Sequence, residues 1–125
     1  MRSDGMLVIA SQQSHALPEM LTRLGLAPLV HNALAEALEA ARQTQLAAVI
    51  VDAAHPEIDP VQCVLRLREV DTQIPILVVD AGGVSDEDTR LLLRLPHVCV
   101  VDESTNHESI SRELDRILQA DEQAT

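Results

Sequence analysis

The chain has no Phe, Tyr or Trp among its 125 residues. Without aromatic rings it has no platform for stacked bases, no walls for a flavin and no face for a sugar, so functions built on stacking are excluded. Cations are scarce as well: nine Lys and Arg stand against twenty Asp and Glu, a formal charge of −11. A field of that sign repels nucleic-acid phosphates and anionic lipid, so neither nucleic acid nor a membrane is an expected partner of this domain. The acidity serves solubility and remains compatible with docking onto a basic protein surface. Long apolar runs are missing too. No segment reaches the roughly 18 residues of a membrane span, and Met6 to Ala10 is too short for a signal-peptide core. A soluble, cytoplasmic protein is expected. Only two cysteines occur, Cys63 and Cys99, in apolar runs without paired spacing, and they read as buried free thiols in a reducing compartment.

What is present is aliphatic. Hydrophobic residues make up 46% of the chain, so apolar surface is ample and the interior is built from Leu, Val, Ile and Ala; the length fits one domain and leaves too little for a second. Short apolar runs alternate with helical periodicity. Met6 to Ala10 does not alternate, as expected of a strand buried on both faces. Leu17, Met20, Leu21 and Leu24 follow at helical spacing, with Pro18 tolerated near the start and Gly25 as the stop. Pro28 to Val30 predicts a brief second strand, and Asn32 a cap for a helix through Leu34, Ala37, Leu38 and Ala41. Ala47 to Val51 predicts a third strand ending at Asp52.

Asp59-Pro60 then places an acceptor at a helix cap and a ring at the first helical position. Val61, Val64, Leu65 and Arg68 continue that helix. Pro75 opens a fourth strand, Ile76 to Val79, ending at Asp80. After the Gly82-Gly83 loop, Ser85 caps a helix that begins Asp86, Glu87, Asp88, carboxylates suited to the positive end of the helix dipole. Val98 to Val101 predicts a fifth strand ending at Asp102. Thr105 with Glu108 reads as a capping box, and Ile110, Leu114, Ile117 and Leu118 as one apolar stripe. Repeated strand-then-helix units imply a parallel sheet with helices on both faces. Ligand crevices in such sheets lie outside the carboxyl ends of the strands, where Ser11, Asp52, Asp80 and Asp102 fall.

The stretch Val49-Ile50-Val51-Asp52-Ala53-Ala54-His55-Pro56-Glu57-Ile58-Asp59-Pro60 resembles the receiver domain of two-component response regulators. The register runs on through Leu65-Arg66-Leu67-Arg68 to Pro75, and the resemblance covers about residues 6 to 119. It implies an α/β, flavodoxin-like, doubly wound five-stranded parallel sheet of order 2-1-3-4-5 with helices on both faces. It also implies a receiver-like domain over 6–119, an N-terminal tail over 1–5 and a tail or linker start over 120–125. The family's machine is an acceptor Asp, two acidic residues that hold a divalent metal, a Thr or Ser and a Lys for the phosphoryl group, and a switch aromatic. Carried over by position, the acceptor is Asp52, but the acidic pair falls on Ala10 and Ser11, the Thr on Asp80, the Lys on Asp102 and the aromatic on Cys99.

Phosphoaspartate would bring about two negative charges to Asp52, beside Asp80 on the neighbouring strand at a spacing of ~4.8 Å. At ~6 Å and an effective dielectric of ~20, one ionised carboxylate opposes that by on the order of 5 kcal/mol. Phosphoryl transfer depends on charge neutralisation, so a degenerate receiver is expected, with no catalytic residue, no resident metal and no cofactor. Such a module acts by protein contacts with a signalling partner or by forming a homodimer. The face carried by the fourth helix, fifth strand and fifth helix, near Arg90, Arg94, Arg112 and Arg116, is the candidate surface. One rival is a phosphoacceptor served by a histidine kinase at Asp52, with magnesium. Others are a hard-cation site on the strand-end carboxylates and a small-molecule domain. His55, Ser11, Cys63 and Gly82-Gly83 lack the surroundings that would give them chemistry.

Overall fold

The computed structural model describes residues 5–10, 16–23, 25–53, 59–80, 84–102 and 110–117. Strands β1 (Gly5–Ile9), β2 (Pro28–His31), β3 (Leu46–Asp52), β4 (Ile76–Asp80) and β5 (Val98–Asp102) alternate with helices α1 (Ala16–Arg23), α2 (Leu34–Gln43), α3 (Pro60–Val70) and α4 (Asp86–Arg94). A fifth helix, α5, occupies 110–117. All strand pairings are parallel, in the order β2-β1-β3-β4-β5. This is the doubly wound, flavodoxin-like sheet that the repeating units imply.

Strand alternation sorts the aliphatic side chains into two cores. Leu7, Ile9, Val49, Val51, Ile76 and Val78 face α2, α3 and α4, where Leu38, Val64, Leu67 and Leu92 meet them. Met6, Val8, Ala48, Ile50, Leu77 and Val79 face α1 and α5, against Leu21, Ile110 and Leu114. The three central strands are therefore apolar at consecutive positions, because both of their sides are covered.

Local signals place the helix starts. The Asp59 carboxylate accepts from the Val61 and Gln62 amides at 3.1 and 3.3 Å, and Pro60 follows it at the first helical position. The Ser85 hydroxyl accepts from the Asp88 amide at 3.1 Å. Gly25, with φ +83°, closes α1 in the left-handed conformation that other residues enter at a cost.

Four expectations are corrected. Asn32 does not cap α2: the N-cap is Ala33, with no side-chain bond, and the Asn32 amide instead reaches back to β1. Leu65 is not core but 48% exposed, since α3 turns Pro60, Cys63, Val64 and Leu67 inward. Cys99 is half-buried because β5 is an outer strand, whereas Cys63 is buried as expected. Strand β1 begins at Gly5, one residue inside the expected tail. Leu24, His55, the Gly82-Gly83 loop, the Thr105–Glu108 box and Leu118 lie outside the described residues.

Candidate functional site

The carboxyl ends of β1, β3, β4 and β5 form one rim of the sheet. Asp52 ends β3 and is 4% exposed, the one charged side chain that is buried among the described residues. It sits there because β3 runs one residue past its apolar stretch while α-helices still cover both faces. In register, Asp52 lies beside Val79, and the Ala53 amide donates to the Val79 carbonyl at 2.9 Å. Asp80 is therefore one step further along β4 than Asp52's neighbour. It is level with Asp102 of β5, the two being direct partners in the ladder.

Each of these positions has a local cause. The Asp80 carboxylate accepts from the Val84 amide at 3.2 Å, four residues on. Ala10, at the end of β1, is fully buried; its amide donates to the His31 carbonyl at 3.0 Å, and its carbonyl accepts from the Asn32 Nδ2 at 2.8 Å. The end of β1 is thus tied to the end of β2 by a backbone bond and a side-chain bond. Sequence reading missed this role of Asn32, since the bond spans 22 positions. Ser11 lies outside the described residues, and so does everything about Asp102 beyond its backbone.

The magnesium site implied by the receiver resemblance can be tested on these residues. It needs oxygen ligands from the end of β1 beside Asp52. Ala10 supplies a methyl group, and its carbonyl accepts from the Asn32 Nδ2. Among the described residues no three His, Cys, Asp or Glu side chains gather as a metal ligand set. Among the described residues, none at the end of β1 offers a carboxylate for an ion beside Asp52.

The four arginines flank the β5 edge. Arg90 and Arg94 are exposed on α4, and Arg112 and Arg116 on α5, one helix on each face of the sheet. Each pair is four residues apart, hence on one side of its helix. Arg116 is engaged: its guanidinium meets the Glu113 carboxylate at 2.8 Å and donates to the Cys99 Sγ at 3.0 Å. The Arg116 bond holds the Glu113 carboxyl below its ordinary range. Burial, with Glu113 nearby, raises the Cys99 thiol, so it is not an activated nucleophile. Burial pushes Cys63 up to about 11.

Arg68 is a second residue whose role the sequence did not reveal. From α3 its guanidinium donates to the carbonyls of Asp71, Pro96 and His97 at 3.1, 2.7 and 3.2 Å. It thereby holds the turn that leads into β5, where His97 adopts φ +59°.

Comparison with known proteins gives the fold its relatives. No protein-family model matches the chain, and no curated protein matches its sequence. Solved structures match it over nearly its whole length. A CheY-like response regulator receiver domain protein from Methanospirillum hungatei JF-1 superposes with a TM-score of 0.82 at 13% identity, covering 98% of this chain and 100% of that one. The signal receiver domain of an HD domain-containing protein from Pseudomonas fluorescens Pf-5 gives 0.84 at 13% identity, over 99% and 93%. The receiver domain of a sensor histidine kinase from Pseudomonas aeruginosa PAO1, with magnesium in its active-site cleft, gives 0.73 at 16%, over 94% and 99%. The chain has the receiver fold.

Proposed function

We propose that this chain is a receiver-like module of two-component signalling that acts by protein–protein contact, without phosphorylation of Asp52. The reading is carried by one observation: Ala10, locked to Asn32, stands at the end of β1 where the receiver resemblance implies an acidic metal ligand for Asp52. The in-register pair Asp80 and Asp102 adds support, because it brings carboxylates to positions that the resemblance gives to a hydroxyl and a cation. A phosphoryl group placed here would meet negative charge, and the Ala10 methyl adds no carboxylate that could hold an offsetting metal. No residue is assigned a catalytic role.

The contact surface of this reading is the β5 edge with Arg90, Arg94, Arg112 and Arg116, local cations on a chain of net charge −11. A signalling partner with a complementary acidic surface fits it. The alternative keeps Asp52 as a phosphoacceptor for a histidine kinase. It draws on the burial of Asp52 at the end of β3 and on the magnesium in the cleft of the Pseudomonas aeruginosa neighbour. Incubation with acetyl phosphate and magnesium, followed by intact-mass and peptide mass spectrometry, separates the two. The module reading expects unmodified chain; stoichiometric phosphate on Asp52 establishes the alternative.

A further inference from the structure

Helix α4 is the least firmly seated of the three helices on its side of the sheet. Leu92 is the one buried residue between Asp86 and Arg94, whereas α2 buries Ala37 and Leu38, and α3 buries four residues. Leu92 also stands in a run of three identical side chains. Leu91 is 46% exposed and Leu93 58%, against 0% for Leu92. The slot beneath α4, in the core that includes Ile76, Val78 and Val98, therefore takes one leucine of three.

Consecutive residues of an α-helix are about 100° apart. A turn of that size about the axis would put Leu91 or Leu93 in place of Leu92 and bury the same side chain. Residues three and four positions away decide which turn is open. Half-buried Asp88 and Leu95 flank Leu92, and they flank Leu91 as well, so the turn to Leu91 keeps both at the core. It brings Glu87 and Arg94 to the flanks, and their desolvation favours the register observed. The turn to Leu93 draws Leu95 out and Arg90 in, and is closed. Both ends of α4 permit the motion. The caps, Ser85 hydroxyl to Asp88 amide and Leu92 carbonyl to Leu95 amide, lie within the helix and turn with it. Ser85 and Leu95 have extended backbone at the helix ends, where a few dihedrals absorb such a change. Arg68 holds the Pro96 and His97 carbonyls, so β5 stays in place.

We propose that α4 is a two-register helix, with Leu92 inward in the register seen here and Leu91 inward in a minor one. Arg90 and Arg94 are each two residues from Leu92, about 200° round the helix, and so face away from the core. With Leu91 inward, both come to the flanks. The turn thus presents or withdraws the cations of α4. That regulatory meaning rests on the reading of the β5 edge as the contact surface; the turn itself does not.

Urea unfolding of full-chain variants tests it. Leu67 is a buried leucine whose chain neighbours are arginines, so Leu67→Ala should lower the folding constant at least about thirtyfold. Leu92→Ala should lower it less than about tenfold, because Leu91 turns in, and the Leu91 methyls should gain nuclear Overhauser contacts to Val78 and Val98. In a Leu91→Ala background, Leu92→Ala should cost about thirtyfold again. Additive losses, or a loss for Leu92→Ala as large as that for Leu67→Ala, overturn the proposal. Should the double variant not fold, relaxation dispersion of the unaltered chain decides. Microsecond-to-millisecond exchange across Asp86–Arg94 that Leu91→Glu removes supports two registers; no exchange, or exchange that survives Leu91→Glu, refutes them. The phosphodonor experiment reads Asp52 and none of these leucines, so the two proposals fail separately.

Discussion

Replacing Arg68 by Met keeps the aliphatic stem against α3 and removes the three donors that hold the turn into β5. Charge-assisted hydrogen bonds contribute ~1.5–3 kcal/mol each, but the sum does not apply here. Two of the three share one nitrogen, and the buried Nε has no hydrogen-bond partner, which offsets about 1–3 kcal/mol of the gain. Partial burial also disfavours the charged guanidinium, lowering its pKa from the ordinary value. A net loss of about 2 kcal/mol remains. With an unfolding entropy of ~2.1 cal/mol/K per residue, that lowers Tm by about 8 °C. Arg68→Lys should recover less than half, because an ammonium cannot reproduce the planar fork. Calorimetry gives the magnitude, and hydrogen exchange gives the place: amides of β5 should open sooner than those of β1. A Tm shift for Arg68→Met below about 2 °C, or exchange that rises evenly across the sheet, refutes this account of the clamp.

Three further outcomes follow from particular residues. Asp59→Ala removes an acceptor serving two amides and should cost about 1–2 kcal/mol in urea unfolding, while Asp59→Ser should cost less. Gly25→Ala meets no atom within 4 Å, so its loss of about 1 kcal/mol should come from the positive φ alone; Gly25→Asn should then be milder. Cys63 ionises near 11 in the folded chain against 9.0 as a free thiol, so the native state holds this proton more tightly than the unfolded one. Its stabilising share is complete below pH 9 and lost as pH rises from 9 to 11, on the order of 2–3 kcal/mol, so Cys63→Ala should flatten the alkaline arm of stability against pH.

Much of the fold was legible because its signals are local. The unbroken apolar run Ala47 to Val51 could be satisfied only by a strand covered on both faces, and β3 is one. Asp59-Pro60 and Ser85 act on amides two or three residues away, so their spacing in the chain already contains their geometry. What depends on distant partners was not legible. Asn32 had a choice between its own helix and a carbonyl on β1, and only the packed β1–β2 pair decides it. The phase of α3 slipped by one position, since Leu65 looks as apolar as Leu67 until the sheet says which way the helix faces. Cys99 depended on β5 being outermost.

The candidate site divides in the same way. That Asp52, Asp80 and Asp102 end their strands was readable from where each apolar run stops. That Asp80 pairs with Asp102, and is offset from Asp52, required the ladder register. That Ala10 brings a methyl group to the end of β1 was visible in the sequence, but the bond from Asn32 to its carbonyl was not.

The central claim concerns the ability of the β1, β3 and β4 ends to take a cation and a phosphoryl group together. Two-dimensional amide NMR, with magnesium added first and a beryllium fluoride phosphoryl mimic second, addresses it directly. The account predicts that the amides of Ala10, Asp52, Ala53 and Asp80 stay in place through both additions. Saturable shifts centred on Asp52, appearing with magnesium and growing with the mimic, would contradict it.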